Sequence, residues 1–320
     1  MELRIVHETC YDYAAPVMLA QHMAHLRPST ALAGQAVLSH QLSVTPEPAQ
    51  ATEGEDAFGN PRHFFALQVP HDRLCVHADM TVRTEPPLPL PDSLPWEAVR
   101  AHFAYHAGAT FNAAAEFVFA SPFVPNHEAF ADYARADFTP GRPLLEACEA
   151  LMARIHTEFE YRSGSTEINT PALTALAQRQ GVCQDFAHIM LGCLRSLGLA
   201  ARYVSGYLLT QVPEGQTRLI GADASHAWVA VYSPGADGDA GVWCDFDPTN
   251  HRCGLGRPGE DYVTLALGRD FGDVSPLRGV IQGGGSHNLH VGVTVAPVDA
   301  FPTDTDTDTA TATPGPDADR

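Results

Sequence analysis

The stretch from Gly181 to Tyr207 constrains this chain most, because it reads in succession as a loop, a helix, a turn and a strand. The helix opens at Cys183. Phe186, Ile189, Met190, Cys193, Leu194 and Leu197 recur at helical spacing, so one face is apolar and is expected to be buried. Gly198 marks the turn and Ala201 the start of the strand. A thiol at a helix start meets the positive end of the helix dipole and unpaired backbone N–H groups, surroundings that favour a thiolate.

A base and an orienting carboxylate are what such a thiol needs to act as a nucleophile. Three strand-like runs follow the helix: Ala201–Leu209, His226–Tyr232 and Val242–Phe246. The last two flank a Pro/Gly/Asp-rich loop, which predicts a hairpin with its turn around Asp237-Gly238-Asp239. In a hairpin the start of one strand lies beside the end of the other, which sets His226 next to Asp245 and Asp247. These two carboxylates share a face because side chains alternate. Asp247 is preferred because it is nearer the strand end where His226 begins, and Asp245 is its rival. Asp185, two residues into the helix, is expected to interact with the helix N-terminus.

The rest of the chain frames this stretch. Residues 1–85 read as a β-rich domain, with strand-like runs at Glu2–Tyr13, Val37–Val44, Phe64–Val69 and Leu74–Val82 separated by turn signals such as Gly59-Asn60-Pro61. Residues 86–95 form a proline-rich connector. Helices are expected at Trp96–Tyr105, Asn126–Ala134 and Pro143–Phe159, and again up to Gln180 with Thr170 as N-cap and Pro171 at the first helical position. His251–Gly285 reads as glycine-rich loop and His287–Val295 as a strand with Leu289, Val291, Val293 and Val295 on one face. The catalytic core is thereby placed at 96–300, and the Thr-Asp-rich tail at 301–320 as disordered.

At these residues the chain resembles a known family. Gly-Val-Cys-Gln-Asp-Phe-Ala-His, Gly-Leu-Ala-Ala-Arg-Tyr-Val-Ser-Gly-Tyr, Ser-His-Ala-Trp-Val and Trp-Cys-Asp-Phe-Asp-Pro-Thr-Asn are similar to motifs of the transglutaminase-like superfamily in its bacterial form. The β-rich start, with Gly-Asn-Pro before a strand, resembles the N-terminal domain that often precedes that core, and residues 268–280 resemble the segment that follows it. The resemblance implies an α+β, papain-like core in which a helix carrying the cysteine packs on an antiparallel sheet carrying histidine and aspartate. It implies a triad of Cys183, His226 and Asp247, the last in Asp-Pro-Thr, and acyl transfer through a thioester. The side-chain donor of the oxyanion hole stays open among Gln178, Gln180 and Tyr161.

Hydrolysis at an amide or isopeptide bond, by a cysteine peptidase or amidase, is the first expectation. A protein-glutamine transglutaminase with an amine acceptor is the alternative, and a non-catalytic binding module that keeps the fold is a third. The expected partner is a peptide, protein or small amide. A formal charge of −19 argues against nucleic acid and anionic membrane. No cofactor is expected. Cys244, His251 and Cys253 lack zinc-site spacing, so no metal is expected either. Seven scattered cysteines fit a reducing compartment, with Cys10 and Cys75 as small core side chains, and the alternating N-terminus does not read as a signal peptide. The protein is therefore expected in the cytoplasm. His188, five residues after Cys183, has poor helical spacing for contact and is read as a hydrogen-bonded core residue. Trp228 either walls a cleft or packs, and Arg202 is expected to neutralise a nearby acid.

Overall fold

The computed structural model describes residues 1–30, 32–104, 106–108, 111–162, 170–210, 225–235 and 241–301. The tail beyond 301, the turn at Asp237–Asp239, Tyr105 and Asn169 lie outside them. The alternation that begins at Glu2 runs on past Tyr13, and the chain stays extended as β1 (Glu2–Ala24). An irregularity between Asp12 and Val17 lets this one strand serve two sets of neighbours. Its first half lies between β5 (His71–Thr84) and β14 (His287–Pro297), and its second half between β4 (Pro61–Leu67) and β13 (Leu277–Gly283). β2 (Gln35–Thr45) pairs outside β5, and β3 (Gln50–Glu55) outside β4. β3 is exposed throughout, so it lacks the apolar alternation that would have announced it. The strand expected at 287–295 exists, but it completes the N-terminal sheet and does not pack with the Cys183 helix. Val293 and Val295 are buried while Leu289 and Val291 stay half exposed.

Cys10 and Cys75 face each other across β1 and β5 and are joined by a disulfide, with Cα atoms 4.2 Å apart. This corrects their reading as separate core side chains. The pairing depends on strand register, which spacing along the sequence does not reveal.

The second sheet is antiparallel, in the order β11 (Arg252–Leu255), β10 (Val242–Asp247), β9 (Ser225–Ser233), β8 (Ala201–Leu208), β12 (Tyr262–Gly268). The segment read as loop from His251 to Gly285 thus holds β11, β12, a short helix α6 (Phe271–Val274) and β13. β12 is buried on both faces, so it shows a short apolar run without alternation, and its flanking glycines read as loop. Residues 86–95 do not hang free: Leu88 bridges to Leu255 of β11, and Pro95 to Pro143.

Helices α1 (Trp96–His102), α2 (Glu128–Ala134), α3 (Leu144–Glu158) and α4 (Ala172–Gln178) surround α5 (Cys183–Ser196). Pro171 is the N-cap of α4, not its first helical residue, and Arg179 at φ +55° ends that helix before Gln180. α5 is buried on every side from Asp185 to Arg195, beyond the single apolar face expected. Small residues make this possible: a Cβ on Gly192 would lie 2.9 Å from the Phe130 ring. Ala227, Val229, Val231, Cys244 and Phe246 face this helical layer, while Val204, Trp228, Ala230 and Tyr262 form a separate cluster. Tyr207, Val263 and Leu265 join the core of the N-terminal sheet.

The edge strand β12 is closed by side-chain amides. Asn60 Nδ2 donates to Leu267 O at 2.6 Å and Asn60 Oδ1 accepts from Leu267 N at 2.8 Å. Gln35 makes the same pair with Thr264, at 2.8 Å each way. Two amides of the N-terminal sheet thus stand in for a sixth strand. Asn60→Ala leaves two buried backbone groups of Leu267 unpaired, so it is expected to destabilise the protein by about 2–4 kcal/mol in urea unfolding. A loss below about 1 kcal/mol would mean that water replaces both bonds.

Candidate active site

α5 starts at Cys183 because Asp185 caps it from inside: Val182 N donates to Asp185 Oδ2 at 2.9 Å. Gly181 is needed just before, since a Cβ there would come within 2.7 Å of Asp185 Cβ. Cys183 is thereby held in the first turn, half-buried, where backbone N–H groups have no partner within the helix.

His226 enters at the start of β9, and its Nε2 lies 2.7 Å from Asp247 Oδ2. With Nε2 committed to Asp247, Nδ1 is the nitrogen left for the hydrogen bond between His226 and Cys183. Asp247 is fully buried and fully bonded. Its Oδ2 also accepts from Tyr262 Oη at 2.7 Å and Asn250 Nδ2 at 2.8 Å, and its Oδ1 accepts from Thr249 N at 2.8 Å and Asn250 N at 3.3 Å. The turn after Pro248 is therefore built on the Asp247 side chain, in the manner of an Asx turn.

Burial alone would lower the pKa of His226 and raise that of Asp247. Their hydrogen bonds outweigh it. Bonds to Asp247 and Cys183, with the charges of both, raise His226 to about 10. Bonds from His226, Asn250 and Tyr262 pull Asp247 below the usual carboxylate range. Burial pushes the remaining free cysteines up: Cys148 and Cys193 far, Cys244 to about 12 and Cys253 to about 11.

Asp245 does not meet His226. It pairs with Ala230, four residues along β9, and accepts from Trp228 Nε1 at 3.1 Å. Burial raises Asp245 to about 7, against the opposing charge of Arg202. Trp228 is fully buried with its ring 6.1 Å from that of His226, so it packs behind the histidine and walls no cleft. His188 accepts from Phe271 N at 3.2 Å and lies between Phe123 and Tyr203, and burial lowers it to about 4. Among the described residues, no group of three or more His, Cys, Asp or Glu side chains is placed to hold a metal ion.

The short strands β6 (Glu160–Tyr161) and β7 (Gln180–Gly181) run parallel and set Tyr161 opposite Gly181, two residues from Cys183. Tyr161 is 52% exposed, and its phenol is raised by burial and then by the charges of Cys183 and Asp247. Gln180 instead donates to Gln178. Asn250 and Tyr262 were not anticipated from sequence. Asn250 was within reach, since a residue just past Asp-Pro-Thr can return to the aspartate. Tyr262 had no local signal, because it arrives from β12, three places from β10 in the sheet.

Residues 3–83 match the family model of the bacterial transglutaminase-like N-terminal region, and residues 132–248 that of the transglutaminase-like superfamily. Uncharacterized proteins of Mycobacterium tuberculosis and Mycobacterium bovis are 39% identical over 302 residues, covering 92% of this chain and 93% of theirs. One from Mycobacterium leprae is 29% identical over 296 residues, covering 92% and 98%. Among solved structures, a candidate cysteine protease from Cytophaga hutchinsonii superposes with a TM-score of 0.69 at 21% identity, over 95% of this chain and 92% of that one, which shows a shared fold.

The pH dependence of the His226–Asp247 pair follows from its shifts. His226 is raised above its ordinary 6.5, so its contribution is complete below that value and is lost as pH rises through about 10. Asp247 is depressed below its ordinary 3.8, so its contribution is present above that value and is lost as pH falls through its folded pKa. The destabilisation caused by His226→Ala, measured by urea unfolding, is expected to be largest near about pH 5–6 and smaller at about pH 10.5. The His226 ring resonance is expected to stay flat between about pH 5.5 and 8.5 in NMR, and a titration near the ordinary value would refute the pairing.

Proposed function

Because this chain belongs to the transglutaminase-like superfamily, we propose that it is a cysteine enzyme that cleaves an amide or isopeptide bond through Cys183, His226 and Asp247. The observation that carries this reading is a single connected set. One histidine bonds both a half-buried thiol at a helix start and a fully buried, fully bonded carboxylate.

Cys183 sulfur attacks the carbonyl carbon, and the electron pair of the carbonyl moves to oxygen. The backbone N–H of Cys183, at the start of α5, receives the oxyanion. His226 gives its Nδ1 proton to the leaving nitrogen as the C–N bond breaks, and a thioester remains on Cys183. Water then loses a proton to His226 and attacks the thioester, and collapse releases the acid and returns Cys183 as a thiolate beside protonated His226. Asp247 keeps the ring oriented and balances its charge, while Tyr262 and Asn250 keep Asp247 in place. Tyr161 is the side-chain donor best situated to reach the oxyanion. The cysteine-protease description of the Cytophaga protein agrees with hydrolysis, and the family name with amine acceptance as the second reading.

Iodoacetamide labelling mapped by mass spectrometry is the first test. Cys183 is expected to alkylate faster than the other free cysteines at neutral pH and to lose that advantage in His226→Ala. Labelling no faster than Cys253 would favour a non-catalytic binding module. With a fluorogenic peptide library as substrate and a biotinylated amine as competing acceptor, release of peptide without biotin incorporation supports a hydrolase, and incorporation supports the transglutaminase. On the substrate so found, Cys183→Ala is expected to abolish turnover and Asp247→Ala to lower kcat by about 10²–10⁴-fold. Tyr161→Phe is expected to lower kcat by about 10²-fold with KM little changed, and an equal loss in KM alone would make Tyr161 a binding residue.

A further inference from the structure

A sizeable cavity lies away from Cys183. It encloses about 860 Å³ at the other end of the second sheet, where Arg202 begins β8 and Tyr232 and Trp243 lie near the ends of β9 and β10. Phe58, from the turn between β3 and β4, and Phe111 and Phe117 complete its aromatic lining. Arg202 pairs with Ala230, four residues along β9 from His226, or roughly 13 Å by strand rise.

Arg202 is the unusual group here. Its guanidinium stacks on Trp243, 4.0 Å from the ring centroid, and its Nε is buried without a hydrogen-bond partner. No hydrogen bond or ion pair joins it to an acceptor among the described residues, and Asp245 acts on it only through its charge. Burial lowers its pKa to about 10, so it remains a cation at neutral pH. Arg202 as a whole is half-buried, but a buried donor such as its Nε is costly to leave without an acceptor. The other cations of the lining are engaged: Arg269 bonds Asp273 at 2.9 Å and Arg278 bonds Gly272 O at 3.1 Å.

We propose that this cavity is a second binding site, separate from the Cys183 cleft, for a small aromatic carboxylate whose anion docks on Arg202 and whose ring lies among Phe58, Phe111, Phe117 and Trp243. A carboxylate fits the planar fork of the guanidinium. An aromatic body fits the walls. Asp56, Glu116 and Asp273 also line the cavity, and their charges disfavour a doubly charged phosphate.

Calorimetric titration of the full chain with 1-naphthaleneacetate tests this, with 1-naphthaleneacetamide as the uncharged counterpart and inorganic phosphate as a competitor. Saturable binding of the acid at one site is expected, at least tenfold tighter than the amide, undisturbed by phosphate and retained in Cys183→Ala. Arg202→Met is expected to weaken it at least tenfold. Phe111→Ala is expected to weaken it severalfold without lowering the melting temperature, because Phe111 is 89% exposed, so the test stands even if Arg202→Met misfolds. No binding at millimolar acid, equal binding of acid and amide, displacement by phosphate, loss in Cys183→Ala, or indifference to Phe111→Ala would each overturn the proposal.

Discussion

Five hydrogen bonds converge on the carboxylate of Asp247, and much of the second sheet is arranged to supply them. A buried charge is tolerated only when its lone pairs are engaged. The donors come from β9, from the turn after β10, and from β12 at the opposite edge of the sheet. Order across the five strands is thus tied to one side chain. Because His226 is among the donors, the charge that organises the sheet also holds the ring beside Cys183.

What could be read in the sequence followed from local periodicity. The amphipathic run after Cys183, the His-led strand and the strand ending at Asp247 each carry their signal within ten or so residues, and the hairpin argument joins the last two. Asp185 and His188 were similarly legible, the one because its partner lies close in sequence and the other because poor spacing excluded a role. What escaped depends on pairing between distant segments. Cys10 and Cys75 meet only through the register of β1 and β5. Tyr262 sits in a strand whose apolar run hides among glycines, and β3 is too polar to be seen. Asp245 and Asp247 share a face, so only the register, which sets one beside Ala230, separates their roles.

One face of the second sheet carries a connected line of groups from end to end. Arg202 acts on Asp245, Asp245 accepts from Trp228, Trp228 stacks behind His226, and His226 bonds Asp247. Two of these links are hydrogen bonds, one is a ring stack and one is the charge of Arg202 acting on Asp245, so the charge state at one end bears on its neighbours along the line. Asp245, raised to about 7, is the member of this line whose protonation lies nearest neutrality.

The central position of β1 has a consequence for how the protein is made. Ile5 pairs with Val295, so β1 must wait for a strand 290 residues later in synthesis (295 − 5 = 290). At about 5–20 residues per second, that interval is on the order of 15–60 s. Throughout it, β2, β4 and β5 can assemble on β1 while its other flank stays open, a row of unpaired backbone groups able to accept a strand from another chain. Pairing with a neighbouring nascent chain therefore competes with the arrival of β13 and β14. That competition should be sensitive to expression rate in a way that the stability of the finished fold does not reveal.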